Sequence, residues 1–214
     1  MERLLLRARR TRWITVCIVN LRILIGFAFV PAGLKKLLAQ PFTDPQNTGP
    51  FHDFLHAFHA TGWFYQFVGV LQLVTATLLI TQRFATIGAL LALPILTAIT
   101  AFCWSTHVYP TATVATLMLL GTLALVLWDF HRWRAVFGER ERLVPVDAPI
   151  DMRLWQRCGI AILAVYLGAC AWMGEVYRPR GAGPDDPGFY LFPVILLLPI
   201  LTLAIDQARL RRKP

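Results

Sequence analysis

Charge is scarce in this 214-residue chain. Asp, Glu, Lys and Arg together make up 15% of it, against about a quarter in ordinary soluble domains. Hydrophobic residues reach 57% and the mean hydropathy is +0.56. So little polar surface cannot cover a soluble particle of this length. A soluble enzyme, a nucleic-acid-binding domain and a secreted disulfide-stapled module are thereby excluded, and no nucleic-acid partner is expected. Paired thiols are missing too: Cys17, Cys103, Cys158 and Cys170 form no C-x-x-C. Thiol–disulfide exchange needs a resolving thiol beside a reactive thiolate, so the four are expected to be buried free thiols in apolar segments. Internal repeats and low-complexity tracts are also lacking.

Long apolar runs are what the chain does have. They cover 13–34, 62–81, 84–104, 112–128, 155–174 and 189–205, separated by basic or Pro/Gly-rich stretches. A helix rising about 1.5 Å per residue crosses a hydrocarbon core of about 30 Å in about 20 residues. The expected fold class is therefore all-α integral membrane, with six spans. A basic leader (1–12) precedes the first run and resembles a signal-peptide n-region. Yet the run is too long, carries Arg22 and lacks a small-residue cleavage site, so it reads as a retained helix. Placing both termini in the cytoplasm puts 16 of the 21 basic residues on that side and leaves Lys35, Lys36, Arg178 and Arg180 opposite. Cytoplasmic loops are the basic ones, so this orientation is expected.

The connection 35–61 is long for a membrane protein. Its first part turns on Pro, Gly, Asn and Asp. Its second, 51–60, sets Phe51, Phe54, Leu55 and Phe58 on one helical face, the pattern of an amphipathic helix in the outer interface. Residues 135–154 read as a cytoplasmic linker, 155–208 as a C-terminal transmembrane hairpin and 209–214 as a basic tail.

Acid inside the membrane is the last absence. Asp129 and Asp206 fall at inner ends of spans and Glu175 at an outer end. Arg22 is the single basic residue near the middle of a span, and such a residue turns toward a partner or a cavity at a cost of about 2.5–3.5 kcal/mol. It shares a stripe with Gly26, Phe29 and Gly33, at i, i+4, i+7 and i+11. On the second span Tyr65, Gly69, Gln72 and Ala76 share another, and counting from the ends gives Gln72 nearly the depth of Arg22. A carboxamide accepts a hydrogen bond from guanidinium without neutralising it, leaving room for an oxygen-bearing ligand such as a quinone carbonyl or a lipid headgroup. A purely structural Arg fixing helix packing stands beside that reading. His52, His56 and His59 recur on the interfacial helix, and His107 leaves the third span on the same side. Two His one turn apart can share a metal, but no Cys or Glu accompanies them at ligand spacing. A packing role is favoured, with no metal expected and at least one of the three lying near His107. Pro94 is expected to kink the third span.

Arg22-x3-Gly26-x6-Gly33-x2-Lys36, then Gln72, Thr81-x-Arg83 and His107-x2-Pro110, resemble in order the signatures of the DoxX family of small bacterial membrane proteins. The resemblance runs over about 22–128. It implies a compact four-helix membrane bundle, here 13–134 with the interfacial helix, followed by two additional spans. Some relatives are quinone-linked, including the large subunit of thiosulfate:quinone oxidoreductase, and others serve in membrane complexes. One departure bears on chemistry: the family usually has Glu in the second helix, followed by glycines, where this chain has Gln72 with Thr75 and Ala76. The proton acceptor is then gone, while binding is untouched.

The expected protein is thus a multi-pass bacterial inner-membrane protein. Arg22, Gly26, Gly33, Tyr65, Gln72 and His107 are the candidate ligand-binding residues, with a quinone or membrane lipid as ligand and no catalytic residue assigned. It would act as a subunit or accessory of a membrane redox system. A non-catalytic scaffold in a larger membrane complex is the alternative. A small-solute transporter is disfavoured by the lack of mid-membrane acids and of paired broken helices.

Overall fold

A computed structural model describes residues 8–130, 150–176 and 187–211. The start of the basic leader, most of the linker 135–154, Arg178, Arg180 and the end of the tail lie outside the described residues. All regular structure among the described residues is helical, and six helices are long and apolar enough to cross a membrane. In chain order they are α1 (Arg12–Leu37), α3 (Trp63–Ile80), α4 (Ala85–Ser105), α5 (Tyr109–Trp128), α6 (Met152–Met173) and α7 (Leu191–Arg211), with the short α2 (Pro50–Ala60) between the first two spans. The six expected spans and the expected interfacial helix are all present, each boundary shifted by a few residues.

Local chemistry sets those boundaries. Gly49, at φ 104°, turns the chain into α2, and Pro50 follows in its first turn, where a missing N–H costs nothing. Asp151 caps α6 and Gly174, at φ 73°, ends it in the left-handed region. Pro31, Pro94 and Pro199 lie inside α1, α4 and α7, and each helix is continuous across its proline.

The chain folds as two compact units. The hairpin unit holds 8–23, 80–83, 150–176 and 187–211. Here α6 packs on α7, and Trp155, Cys158, Ile162 and Tyr166 form the buried stripe of α6. Asp206, fully buried, accepts from Arg12 Nη2 at 3.1 Å and from the Asp151 backbone N–H at 3.0 Å. The bundle unit holds 24–79 and 84–130. In it α4 packs on α5, the buried face of α4 being mostly small: Ala85, Gly88, Ala89 and Ala92, then Leu96, Thr100 and Cys103. Small residues let membrane helices approach closely. All four cysteines are free, but only Cys103 and Cys158 are buried. Cys17 is exposed, as are Trp13 and Ile14 one turn before it, so this face of α1 is left uncovered by the described residues.

The Asp151 cap gives a pH dependence. Its carboxylate accepts from the backbone N–H groups of Leu154 at 3.2 Å and Arg153 at 3.1 Å, and from Arg209 at 2.9 Å. The Leu154 bond leads these in holding its pKa below the ordinary 3.8, against the opposing effect of partial desolvation. A depressed pKa contributes stability that is whole above the unfolded value and lost as pH falls through the folded one. Amide protection at the start of α6 should therefore be flat through neutral pH and decline below about pH 4. Asp151→Asn should remove most of that decline; hydrogen exchange with the same acid profile in both proteins would refute the assignment.

Candidate functional site

In the bundle unit the second half of α1 crosses α3 through two glycines. A Cβ on Gly33 would lie 2.8 Å from Leu73 Cγ and 3.0 Å from the Gly69 carbonyl oxygen. One on Gly69 would lie 2.7 Å from Lys36 Cβ and 2.8 Å from both the Gly33 carbonyl oxygen and the Leu37 amide nitrogen. The backbones thus touch, and that contact fixes where Lys36 emerges. Its ammonium lies 4.4 Å from the Phe42 ring centroid and 5.8 Å from that of Tyr65, and it donates to the Ala32 carbonyl at 3.3 Å. A desolvated cation over ring faces gains from their quadrupoles, and Lys36 is indeed buried.

Tyr65 anchors this end. It is 1% exposed, and its hydroxyl donates to the Gln40 carbonyl at 2.8 Å. Phe58 and His59 of α2 meet its ring edge-on, with centroids 5.0 and 5.1 Å away. Phe51 and Phe54 of the same helix lie on Phe102 of α4, at 5.3 and 4.4 Å. The apolar face of α2 therefore lies across the ends of α3 and α4. Its histidines bind loop oxygens: His52 Nδ1 pairs with the Thr43 hydroxyl at 2.6 Å, and the Nε2 atoms of His56 and His59 with the carbonyls of Asn47 (3.2 Å) and Ala39 (3.0 Å). A carbonyl only accepts, so those two nitrogens carry protons. His107, at φ 57°, is exposed and paired with the Tyr109 hydroxyl at 3.3 Å. Among the described residues no three His, Cys, Asp or Glu side chains converge where a metal would sit.

Deeper in the bundle unit lies Gln72. It is 2% exposed, and its Oε1 is buried with no hydrogen-bond partner; Thr100 Oγ1 on α4 is in the same condition. Thr75 and Thr122 are also fully buried, but their hydroxyls donate within their own helices, to Leu71 and Met118. Gly26 and Phe29 are buried along the α1 stripe that leads toward Gly33.

Arg22 belongs to the hairpin unit. It is buried, and its Nη1 donates to Gln82 Oε1 at 3.3 Å. Gln82 is buried at φ 59° and also donates from Nε2 to the Val19 carbonyl at 3.3 Å. A non-glycine residue in the left-handed region is uncommon and costs roughly 1 kcal/mol or more. Here both ends of its carboxamide are held by α1. Sequence reasoning passed over Gln82, though it is the middle residue of Thr81-x-Arg83. The signal that marks it is a polar residue in a three-residue turn between two spans.

Residues 17–108, somewhat less than half of the chain, match the family model of DoxX, so that region of this membrane protein is DoxX-like. The match takes in most of α1, then α2, α3 and α4, and stops before α5. Comparison with curated proteins and with solved structures gives no match.

Proposed function

We propose that this DoxX-like membrane protein holds a quinone or a lipid in the core of its bundle unit, as a subunit or accessory of a redox system in the bacterial inner membrane. The observation that carries the reading is the Gln72 carboxamide, buried among apolar helices with an acceptor that nothing satisfies. Leaving such a group unpaired costs about 1–3 kcal/mol. A ligand that pairs with it recovers that cost. The amide has an acceptor and a donor end, so it serves either redox state: a quinol hydroxyl donates to the oxygen, and a quinone carbonyl accepts from the nitrogen. A lipid hydroxyl or ester uses the same two ends. Gln does not titrate, so the reading is one of binding and leaves proton uptake to other groups. Lys36 and Tyr65 bound the same core at the end covered by α2.

Solvent extraction of the purified protein followed by mass spectrometry tests this. Wild type should yield a quinone or a defined lipid near one per chain, and Gln72→Leu should lose about tenfold of it, the equivalent of one hydrogen bond of about 1.4 kcal/mol. Equal recovery from both would refute a site at Gln72. The scaffold reading has its own support, because α5, α6 and α7 lie beyond the DoxX match. Stoichiometric co-purification with a larger complex, with no ligand extracted, would favour it.

A further inference from the structure

The polar groups buried in the bundle unit are not scattered. Read along the helices, they form a descending series from the end covered by α2. Lys36 and Tyr65 stand at the top. Thr100 is five residues from the end of α4 and Gln72 nine from the start of α3. At about 1.5 Å per residue, their depths are about 7 and about 13 Å. Thr75 and Thr122 follow at roughly 18–20 Å. Each step is roughly 5–7 Å, the span of one water making two hydrogen bonds of about 2.8 Å. Below Thr75 and Thr122 the series breaks at a layer of Leu79, Ala89 and Leu125, each 1% exposed or less and without a polar side-chain atom; the buried Asp129 lies beyond that layer, at the opposite helix ends, where it accepts from the Thr86 hydroxyl at 2.9 Å.

The two unsatisfied atoms belong to the middle of that series. Thr100 Oγ1 and Gln72 Oε1 are buried polar atoms without a partner, whereas the threonines below have spent their hydroxyls on their own helices. A buried polar group without a protein partner is ordinarily satisfied by ordered water. Water stays in a protein interior where two to four polar partners receive it. Two such unpartnered atoms lie between Tyr65 and Gln72, and among the described residues of the bundle unit none lies below Thr75.

We propose that the bundle unit contains a one-ended water path. It enters beneath α2, passes Lys36, Tyr65 and Thr100, ends at Gln72, and is closed toward the other face by Leu79, Ala89 and Leu125. Water and protons then reach the core from the α2 end alone. Any proton that a ligand at Gln72 takes up or releases is exchanged on that side of the membrane. The path does not depend on the ligand reading and exists in ligand-free protein.

Cysteine accessibility tests it. In a background with Cys17, Cys103, Cys158 and Cys170 replaced by Ala, single variants Thr100→Cys, Gln72→Cys, Leu79→Cys and Leu125→Cys are exposed to a small charged thiosulfonate. Thr43→Cys in the loop marks the α2 side. Only the thiolate reacts, and it forms only where water reaches. Thr100→Cys and Gln72→Cys should therefore label at least about tenfold faster than the two leucine positions, and only from the side that labels Thr43→Cys. Equal labelling at all four, or labelling of Gln72→Cys from the opposite side, would overturn the proposal. Radiolytic hydroxyl-radical footprinting of the wild type avoids any folding defect in the variants. Phe29 and Leu96, about level with Gln72 by the same rise per residue, should be oxidised while Leu79 and Leu125 are spared. Protection of all four would overturn it equally. Neither experiment involves quinone or lipid, so a positive result here stands even where extraction finds no ligand.

Discussion

Gly159→Ala should destabilise the protein by about 3 kcal/mol, near the upper end of what one added methyl costs in a packed interior. The added Cβ would stand directly against the Ile80 carbonyl oxygen and 2.9 Å from Ile80 Cγ2. The first of these is backbone, so no rotamer change relieves it. α6 would have to draw back from the turn 80–83, and the stripe of Trp155, Ile162 and Tyr166 would draw back with it. Gly168, on the same helix, has nothing within 4 Å of its Cβ position. Gly168→Ala should be neutral or slightly stabilising, because Ala is the better helix former by about 1 kcal/mol. Gly69→Ala meets two backbone atoms at 2.8 Å and should fall between the two. Thermal unfolding in detergent orders the three variants. If Gly159→Ala and Gly168→Ala unfold together, the close contact at Ile80 is refuted.

How much of this was legible beforehand depends on the range of the interaction. Hydropathy and length located all six spans, because each span is a property of about 20 consecutive residues. The alternation in 51–60 gave α2 for the same reason: Phe51, Phe54 and Phe58 are spaced by the helix itself, and they meet Phe102 and Tyr65. Pairings between distant residues leave no such trace. Arg22 stood out as a charge in an apolar run, yet its hydrogen bond to Gln82 joins residues 60 apart. That contact depends on where α3 ends, at Ile80, and on a left-handed turn that Gln, unlike Gly, does not announce. The histidines read as a possible cluster because they share a helix face. The loop 39–47 folds back to meet each of them, and no periodicity encodes that return. Gln72 was visible as a polar residue on a buried stripe, but the condition of its oxygen is a fact of packing alone.

Asp206→Ala should be the other large loss, again about 3 kcal/mol, because one side chain holds together three distant segments. Its Oδ2 accepts from Arg12 at 3.1 Å and its Oδ1 from the Asp151 amide at 3.0 Å, and only 1% of the side chain is exposed. Removing it strands a guanidinium and a backbone N–H at once. Unsatisfied groups of this kind, rather than the lost attraction, make broken buried pairs expensive. Asp206→Asn keeps an oxygen for the amide and surrenders the charge, so it should cost clearly less than Ala. Arg209→Ala removes the neighbouring pair to Asp151, whose side chains are 54% and 36% exposed; such a pair contributes about 0–1 kcal/mol and is weakened by salt. The expected order of loss is Asp206→Ala, then Asp206→Asn, then Arg209→Ala, with salt affecting only the last. Equal midpoints for Asp206→Ala and Arg209→Ala would sink the argument. The same variant separates the two functional readings, since Asp206 lies outside the DoxX match at 17–108. A ligand held at Gln72 should still be recovered from Asp206→Ala, whereas a complex that docks on the hairpin unit should be lost from it.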